Sequence, residues 1–313
     1  MKIYGKCHIC GKNTQLTFEH IPPEKANNSD DVHAILGDTL MNHIGSTRQP
    51  WDLTGLRYKN LQRGMGGYTL CEACNNNTGA WYADDYINFV NTIGYVLTNK
   101  VDLEKVKAVK IELKEMHPLR IFKQIICMFA STMHAEFFDA HPALRDFILN
   151  RESTNFDPKK YRISMYILKE PRCGWSGLNV MMYGNGKIKT IAYMDLYPVG
   201  FILEIDPTED TFEYVSDITN MGIDFTYNDK GILGVTLNIL ERNTLWVGDF
   251  RSKEDILKQS KKSRIDTIEV IKGEMNRLNI KEEKYKNVID EYINNQISSS
   301  EFLNRIEQIK GEN

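Results

Sequence analysis

Two Cys-x-x-Cys pairs are the residues whose types and spacing point most directly to chemistry. Cys7 and Cys10 form the first pair, and Cys71 and Cys74 form the second after a long separation. A gap of two residues lets both thiolates of one turn reach the same zinc ion, and two such turns complete a tetrahedral site. Because a four-thiolate site has no open position, we predict a structural zinc held by these four cysteines. His8, inside the first turn, is predicted to face solvent and not to bind metal.

The separation between the pairs leaves an alternative. It is longer than in a usual zinc ribbon, so four unrelated cysteines have to be weighed against a shared metal site. The stretch over 1–85 is rich in Gly, Asn and Pro. It is predicted to bury too little apolar surface to fold without a cross-link such as a structural metal, which acts as a staple between distant parts of the chain. A shared zinc ion would supply that staple.

Three further side chains flank these pairs. Glu19 and His20 stand in the stretch FEHIPPE, and Asn75 follows Cys74 directly. Adjacent residues of a strand point to opposite faces, so Glu19 and His20 share a site only if the backbone bends, which the following Pro-Pro favours. A zinc ion that joins the two pairs would bring Asn75 close to them. The alternative is a structural histidine in a loop and an asparagine that caps a helix start.

This order of residues resembles a known family of nucleases. Cys-x-x-Cys, acidic-His-apolar-x-Pro and Cys-x-x-Cys-Asn are similar to the HNH endonucleases (ββα-metal or His-Me finger), most closely the zinc-stapled branch typified by phage recombination endonuclease VII. The resemblance covers about residues 5–90. It implies that Glu19 and Asn75 bind a catalytic magnesium or manganese ion and that His20 is the general base that activates the attacking water.

The chemistry of these side chains agrees with phosphodiester hydrolysis. Imidazole titrates near neutral pH and can accept the proton of the attacking water. Carboxylate and amide oxygens suit a magnesium ion, which stabilises charge on the phosphate and on the leaving oxygen. The three side chains therefore make a consistent set even without the family name.

The sequence departs from the family pattern at three points. The acidic residue is Glu19, where Asp is commoner, and Met65-Gly66-Gly67 stands where the family carries a middle Asn. Asn60 is the nearest candidate for that Asn. The insertion from about 25 to 68 is long, and its histidines, His33 and His43, are candidates to approach the site.

The end of this insertion is rich in cations and aromatic residues. Arg57, Lys59 and Arg63 alternate there with Tyr58 and Tyr68 and several glycines. Such a stretch can contact phosphate groups of a nucleic acid, and the three cations are therefore candidate substrate-binding residues. A solvated turn is the alternative.

Composition excludes some classes of function. The 313 residues are 42% hydrophobic and 26% charged, with a net charge of -3, and the sequence pI is near 6.2. A protein that grips nucleic acid by bulk charge is usually strongly basic, so any such contact must be local. There is no apolar run of the ~18 residues that a membrane span needs and no signal-peptide pattern. We expect a cytoplasmic protein, in which cysteines do not form a disulfide framework.

The pattern of apolar and turn-forming residues along the sequence predicts an α+β protein in four segments. These are an HNH-type zinc-stapled module (1–90), a helical connector (91–155), a β-rich accessory domain with an antiparallel sheet or small sandwich (156–250) and a helical tail (251–313). Helices are predicted to start at Pro118 and Pro142, since proline suits a first turn, and a last helix to start with a serine cap in ISSSEFLNRIEQIK. A hairpin turn is predicted at 183–187, and Trp246 is predicted to pack in the core.

The leading functional prediction is a metal-dependent endonuclease that hydrolyses phosphodiester bonds in nucleic acid, DNA more than RNA, with a role in defence against phage. The C-terminal region is a candidate for homo-oligomerisation or for binding a partner protein. Two alternatives come from other classes. One is a zinc-stabilised module that binds nucleic acid or protein without cutting, and the other is a structural zinc ribbon whose accessory domain does the main work.

Overall fold

The computed structural model describes residues 2–42, 47–182, 188–244 and 248–312. His43, Trp246 and the predicted hairpin turn at 183–187 lie outside these described residues. By its internal contacts the chain divides into two compact units. Unit 1 consists of Met1–His33 and Asn60–Leu240, and unit 2 consists of Ala34–Lys59 and Glu241–Asn313. Both units combine stretches that are distant in sequence, whereas the four predicted segments are contiguous.

The strands belong to three sheets. In chain order they are β1 (Ile3–Lys6), β2 (Asn13–His20), β3 (Val32–Ala34), β4 (Lys59–Leu61), β5 (Gly66–Cys71), β6 (Ala108–Met116), β7 (Tyr161–Leu168), β8 (Cys173–Met182), β9 (Ile188–Leu196), β10 (Val199–Ile205), β11 (Ser216–Asp217) and β12 (Gly231–Leu240). A three-stranded sheet has the order β1-β2-β5, and β3 pairs with β4. The remaining strands form a seven-stranded sheet.

Helices join and cover these sheets. In chain order they are α1 (Gly37–Met41), α2 (Glu72–Thr78), α3 (Asp84–Lys100), α4 (Pro118–Thr132), α5 (Phe137–Ala140), α6 (Pro142–Leu149), α7 (Lys253–Arg277), α8 (Lys286–Ile293) and α9 (Ser299–Gly311). A π-helical turn, Gly79–Ala83, connects α2 to α3. The predicted helix starts at Pro118 and Pro142 are confirmed.

The three-stranded sheet carries the sequence motifs. β2 pairs antiparallel with β5 in a register that sets His20 opposite Gly66 and Glu19 opposite Gly67. The register shifts between Thr17 and Phe18, which marks a β-bulge. β5 runs directly into α2, so two antiparallel strands are followed by a helix. The long insertion lies between β2 and β5.

The seven-stranded sheet has the order β6-β12-β7-β10-β9-β8, with β11 paired to β7. The mixed α+β class is confirmed. The predicted antiparallel sheet is confirmed for the pairs of β7, β8, β9, β10 and β11 and for β12 with β6, but β12 pairs parallel with β7. The segment predicted to be a helical connector also contributes β6, which pairs antiparallel with β12. Such a pairing joins residues far apart in the chain and leaves no local signal.

Helix α4 is the centre of unit 1. Nearly every one of its residues is buried, including Ile121, Phe122 and Phe129. The polar residues Lys123 and Gln124 are buried along with the apolar majority, so the helix is enclosed by the protein on nearly all sides. Apolar residues of the N-terminal module, Ile9 and Leu70 among them, belong to the same buried cluster as α4. The N-terminal module therefore shares its core with the rest of unit 1.

Unit 2 has a separate helical core. Buried residues of α7, α8 and α9 form one cluster, in which the rings of Tyr292 and Phe302 stack at 4.1 Å. The predicted serine cap of the last helix is confirmed, since Ser298 accepts a hydrogen bond from the backbone of Glu301. Ser252 caps α7 in the same way. Across the described residues, we find no helix both long and apolar enough to span a membrane.

Candidate metal centre and the residues beside it

The four cysteines of the two pairs converge on one point. Their sulfur atoms all lie within 4.8 Å of one another, and the Sγ atoms of Cys10 and Cys71 are 3.8 Å apart. Four thiolates around zinc at ~2.3 Å stand about 3.8 Å apart at the corners of a tetrahedron. A disulfide would need sulfurs at about 2 Å, and the cysteines are free. The cluster can hold a metal ion such as zinc.

A turn, a strand end and the start of a helix place these sulfurs. Cys7 and Cys10 lie in the turn between β1 and β2, while Cys71 ends β5 and Cys74 lies in the first turn of α2. The backbone N–H of Cys71 donates to Cys7 Sγ over 3.3 Å. Hydrogen bonds from Cys74 and from nearby backbone N–H groups hold the pKa of Cys7 well below the ordinary thiol range, although burial opposes this. Cys7 is therefore the residue of the cluster that forms a thiolate, the species that binds metal, most easily. Burial raises the pKa of Cys10, and the hydrogen bond to Cys7 raises that of Cys74.

The sequence predicts that His8 faces solvent, and this prediction is wrong. Its ring is partly buried, and Nδ1 lies 3.2 Å from the carbonyl oxygen of Ala130 on α4. Since a carbonyl oxygen only accepts, Nδ1 carries the proton. The prediction that His8 is not a metal ligand agrees with the cysteine cluster, because the four cysteines already provide four ligands and His8 is not among them.

His20 ends β2 with a defined ring orientation. Its Nε2 lies 3.0 Å from the carbonyl oxygen of Arg63, to which it must donate. The neutral ring therefore has its free lone pair on Nδ1. The ring also packs edge to face against Phe18, with centroids 5.0 Å apart. These two contacts fix the imidazole at the strand end.

A glycine-rich turn presents the Arg63 carbonyl to His20. Arg63 and Gly64 both have left-handed backbone angles, with φ of 69° and 85°. A Cβ on Gly64 would lie 2.1 Å from the carbonyl oxygen of Asn28, so no larger residue fits there. Asn28, which is 4% exposed, donates through Nδ2 to the carbonyls of Pro22 and Met65 and accepts from the Met65 N–H. This one side chain ties the turn to the segment after His20.

Asn28→Asp is expected to lower the free energy of unfolding by about 2–3 kcal/mol, because a buried carboxylate would then face two carbonyl oxygens without a donor. Urea denaturation monitored by circular dichroism measures the change. Asn27→Asp is the matched control, since Asn27 is exposed and its φ of 60° suits aspartate as well as asparagine. Equal loss of stability in both variants would show that Asn28 does not hold the turn.

Glu19 lies on the opposite face of β2 from the His20 ring and is 8% exposed. Its Oε2 accepts hydrogen bonds from Ser131 at the end of α4, over 2.5 Å, and from Thr69, over 3.2 Å. Burial raises the pKa of Glu19 to about 7, although both hydrogen bonds act in the opposite direction. Both donors reach the same oxygen, so Oε1 is the carboxylate atom left for another ligand.

Asn75 lies on α2 and reaches back to β2. Its Nδ2 donates to Thr17 Oγ1 over 3.1 Å and to the Phe18 carbonyl over 3.2 Å. Because the carbonyl only accepts, the amide nitrogen must face the strand, and Oδ1 is the atom that can bind a cation. Asn75 thus contacts the backbone of Phe18, the residue before Glu19, and the Phe18 ring in turn packs against His20. The Glu19 carboxylate, however, is held by Ser131 and Thr69 on the face of β2 opposite the His20 ring, so the prediction that the three side chains meet in one small site is wrong for Glu19 and His20.

The predicted substrate-binding cations fall in both units. Arg63 is exposed in the glycine-rich turn of unit 1 and uses its backbone carbonyl to fix His20. Arg57 and Lys59 belong to unit 2, and both are exposed. His33 is exposed in β3 and Asn60 is exposed in β4.

Several residues of the site carry no signal in the sequence. Ser131 meets Glu19 across 112 positions of the chain, and Asn28 stands in a polar stretch that reads as an ordinary loop. Ser131 is one of several polar residues in α4, with Lys123 and Gln124, so its presence in the helix does not identify Glu19 as its partner.

Comparison with models of protein families, with curated proteins and with solved structures produced no match to this chain. Function is therefore argued from the site alone.

Proposed function

We propose that this protein is a metal-dependent endonuclease of the HNH type, with DNA as the preferred nucleic acid. His20 is the general base. Its Nδ1 takes a proton from a water molecule whose oxygen attacks the phosphorus atom, and the bond from phosphorus to the leaving oxygen breaks. Proton transfer of this kind contributes about 10²–10⁴-fold to a rate.

The observation that carries this proposal is the ring orientation of His20. A hydrogen bond from Nε2 to a backbone carbonyl selects the tautomer with a free lone pair on Nδ1. Among the described residues Nδ1 has no hydrogen-bond partner, so it is the ring atom that can accept a proton. Asn75 and Glu19, which are anchored beside the same strand, would supply oxygen ligands for the metal ion.

Glu19 and Asn75 would hold the catalytic magnesium or manganese ion through Glu19 Oε1 and Asn75 Oδ1. The side chains fit this role because each is anchored by its other polar atom, Oε2 to Ser131 and Thr69, and Nδ2 to β2. When bound, the ion would stabilise negative charge on the phosphate. Because the protein would supply only two ligands, the remaining coordination positions would be open to oxygens of the substrate phosphate, as is usual for magnesium in phosphoryl transfer.

The cysteine cluster has a separate, structural role in this proposal. A zinc ion in a closed four-thiolate site does no chemistry. It would join the turn after β1 to the start of α2, and Asn75 stands one residue beyond the last ligand. The zinc site would therefore keep Asn75 beside the strand that carries His20.

Cleavage of plasmid and of labelled oligonucleotides in magnesium or manganese tests the proposal. Asn75→Ala is expected to lower the cleavage rate at least about tenfold and to raise the manganese concentration needed for half-maximal rate, because it removes an oxygen ligand. Asn76→Ala is the matched control, since Asn76 is exposed on the same helix. Unchanged metal dependence in Asn75→Ala, with zinc content equal in both variants, would contradict the assignment.

One observation favours a second candidate, a zinc-stabilised module that binds nucleic acid without cutting it. The Glu19 carboxylate is nearly buried, and its raised pKa favours the neutral acid, a poorer cation ligand. This candidate predicts nucleic-acid binding with no cleavage in any divalent ion. The cleavage assay, run beside a binding assay, separates the two.

A further inference from the structure

A surface hollow of about 260 Å³ lies beside His20 in unit 1. Its lining comes from β2, from β4 and from the glycine-rich turn up to the start of β5. The lining residues are Phe18, Asn60, Leu61, Gln62, Gly64 and Gly66. Gly66 is the register partner of His20 on β5. The His20 ring does not line the hollow itself, but its centroid is 5.0 Å from that of Phe18, which does. The hollow is therefore one ring away from the imidazole that we assign as general base.

Phe18 supplies a fixed aromatic surface in this hollow. Its side chain is 40% exposed, which is unusual for a phenylalanine in the middle of a sheet. The rings of His20 and Tyr68 pack against it edge to face, with centroids at 5.0 Å and 5.5 Å. Exposed aromatic rings held in this way are the surfaces on which proteins stack the bases of single-stranded nucleic acids.

Two amide side chains border the same hollow. Asn60 and Gln62 are exposed, and within the described part of the chain neither side chain has a hydrogen-bond partner. An amide offers one acceptor and two donor hydrogens, a combination that matches the edge of a nucleobase. Their free hydrogen-bonding groups stand beside an aromatic ring, as base recognition requires.

The glycines keep the hollow open. A Cβ on Gly66 would lie 2.1 Å from the Glu19 carbonyl oxygen and 2.8 Å from the Phe18 ring. Glycine at this position lets the turn approach β2 closely while adding no side chain over the phenylalanine. The lining is thus aromatic, amide, aliphatic and glycine, which suits a flat, uncharged, polar-edged ligand better than an acidic or basic one.

We propose that this hollow binds one unpaired nucleobase, stacked on Phe18 and hydrogen-bonded by Asn60 and Gln62, beside the phosphodiester that faces His20. This inference rests on the proposed nuclease function and names its substrate class: single-stranded or locally unpaired nucleic acid. A base inside a duplex is stacked on both sides and cannot enter such a site without leaving the helix.

Binding without cleavage tests the proposal. Fluorescence anisotropy with a labelled single-stranded DNA, with the same sequence as RNA and with a blunt DNA duplex is measured without added divalent ion. Phe18→Leu is expected to weaken single-strand binding at least about fivefold, because it removes the aromatic ring on which the base would stack. A double variant, Asn60→Ala with Gln62→Ala, tests the base edge and is expected to weaken binding as well.

Tyr95→Leu is the control, because Tyr95 is 60% exposed on α3 and does not line the hollow. Its binding is expected to equal that of the unchanged protein. Wild-type affinity in Phe18→Leu, or a blunt duplex bound as tightly as the single strand, would overturn the inference. Weaker binding of DNA or RNA by Phe18→Leu, with Tyr95→Leu unaffected, would support it.

Measuring binding and cleavage separately distinguishes failure of the base-site proposal from failure of the nuclease proposal. Single-strand binding that depends on Phe18, without cleavage in magnesium or manganese, would support the base site and contradict the nuclease. Cleavage that depends on His20 but is unchanged in Phe18→Leu, with unchanged binding, would support the nuclease and contradict the base site.

Discussion

Cys74→Ser is expected to release the metal from the cysteine cluster and to lower the free energy of unfolding by about 4 kcal/mol or more, as loss of a structural metal does. Zinc in closed thiolate sites contributes on the order of 10 kcal/mol to folding. Serine keeps the size of the side chain but does not supply a thiolate. Zinc content measured by mass spectrometry should fall from about one ion per chain to well below one.

The matched control makes the same chemical change outside the cluster. Cys173→Ser replaces a cysteine on β8 that lies outside the cluster. Its Sγ donates to the Ile21 carbonyl over 3.9 Å, and because a serine hydroxyl can also donate there, both zinc content and stability are expected to stay close to wild type. Cys74→Ser with full zinc content would show that the four cysteines do not share a metal. Full stability after metal loss would instead show that the core shared with α4 holds the module by itself.

His20→Ala is expected to lower the rate of phosphodiester cleavage by about 10²–10⁴-fold, the contribution of a positioned general base. The substitution removes one hydrogen bond to the Arg63 carbonyl, so the expected loss of stability is only about 1 kcal/mol. Added imidazole should restore part of the rate, because it can supply the missing base. A purely structural role for His20 would show no such rescue.

His134→Ala is the control for this prediction. Its side chain is 98% exposed, so its removal should leave cleavage unchanged. Equal nicking of plasmid by wild type and His20→Ala, at equal zinc content, would contradict the base assignment. The cleavage rate must therefore be compared at matched metal content, which excludes indirect effects through the cysteine cluster.

Several features of the molecule follow from short stretches of sequence. The two-residue gaps predict cysteine pairs that can share a metal, and the structure brings all four sulfurs together. Proline at 118 and serine at 298 mark helix starts that the structure confirms. These signals are local because a cap, a first turn or a knuckle involves residues only a few positions apart.

Tertiary structure alone decided how the candidate site is built. The sequence places Glu19 and His20 side by side, but the pleat of β2 sends them to opposite faces, and Ser131 of the buried helix α4 then captures the carboxylate. Likewise, only the fold shows that Asn28 ties down the turn that orients His20. Such contacts join residues distant in the chain and depend on which elements share a core, and no pattern of neighbouring residues encodes that choice.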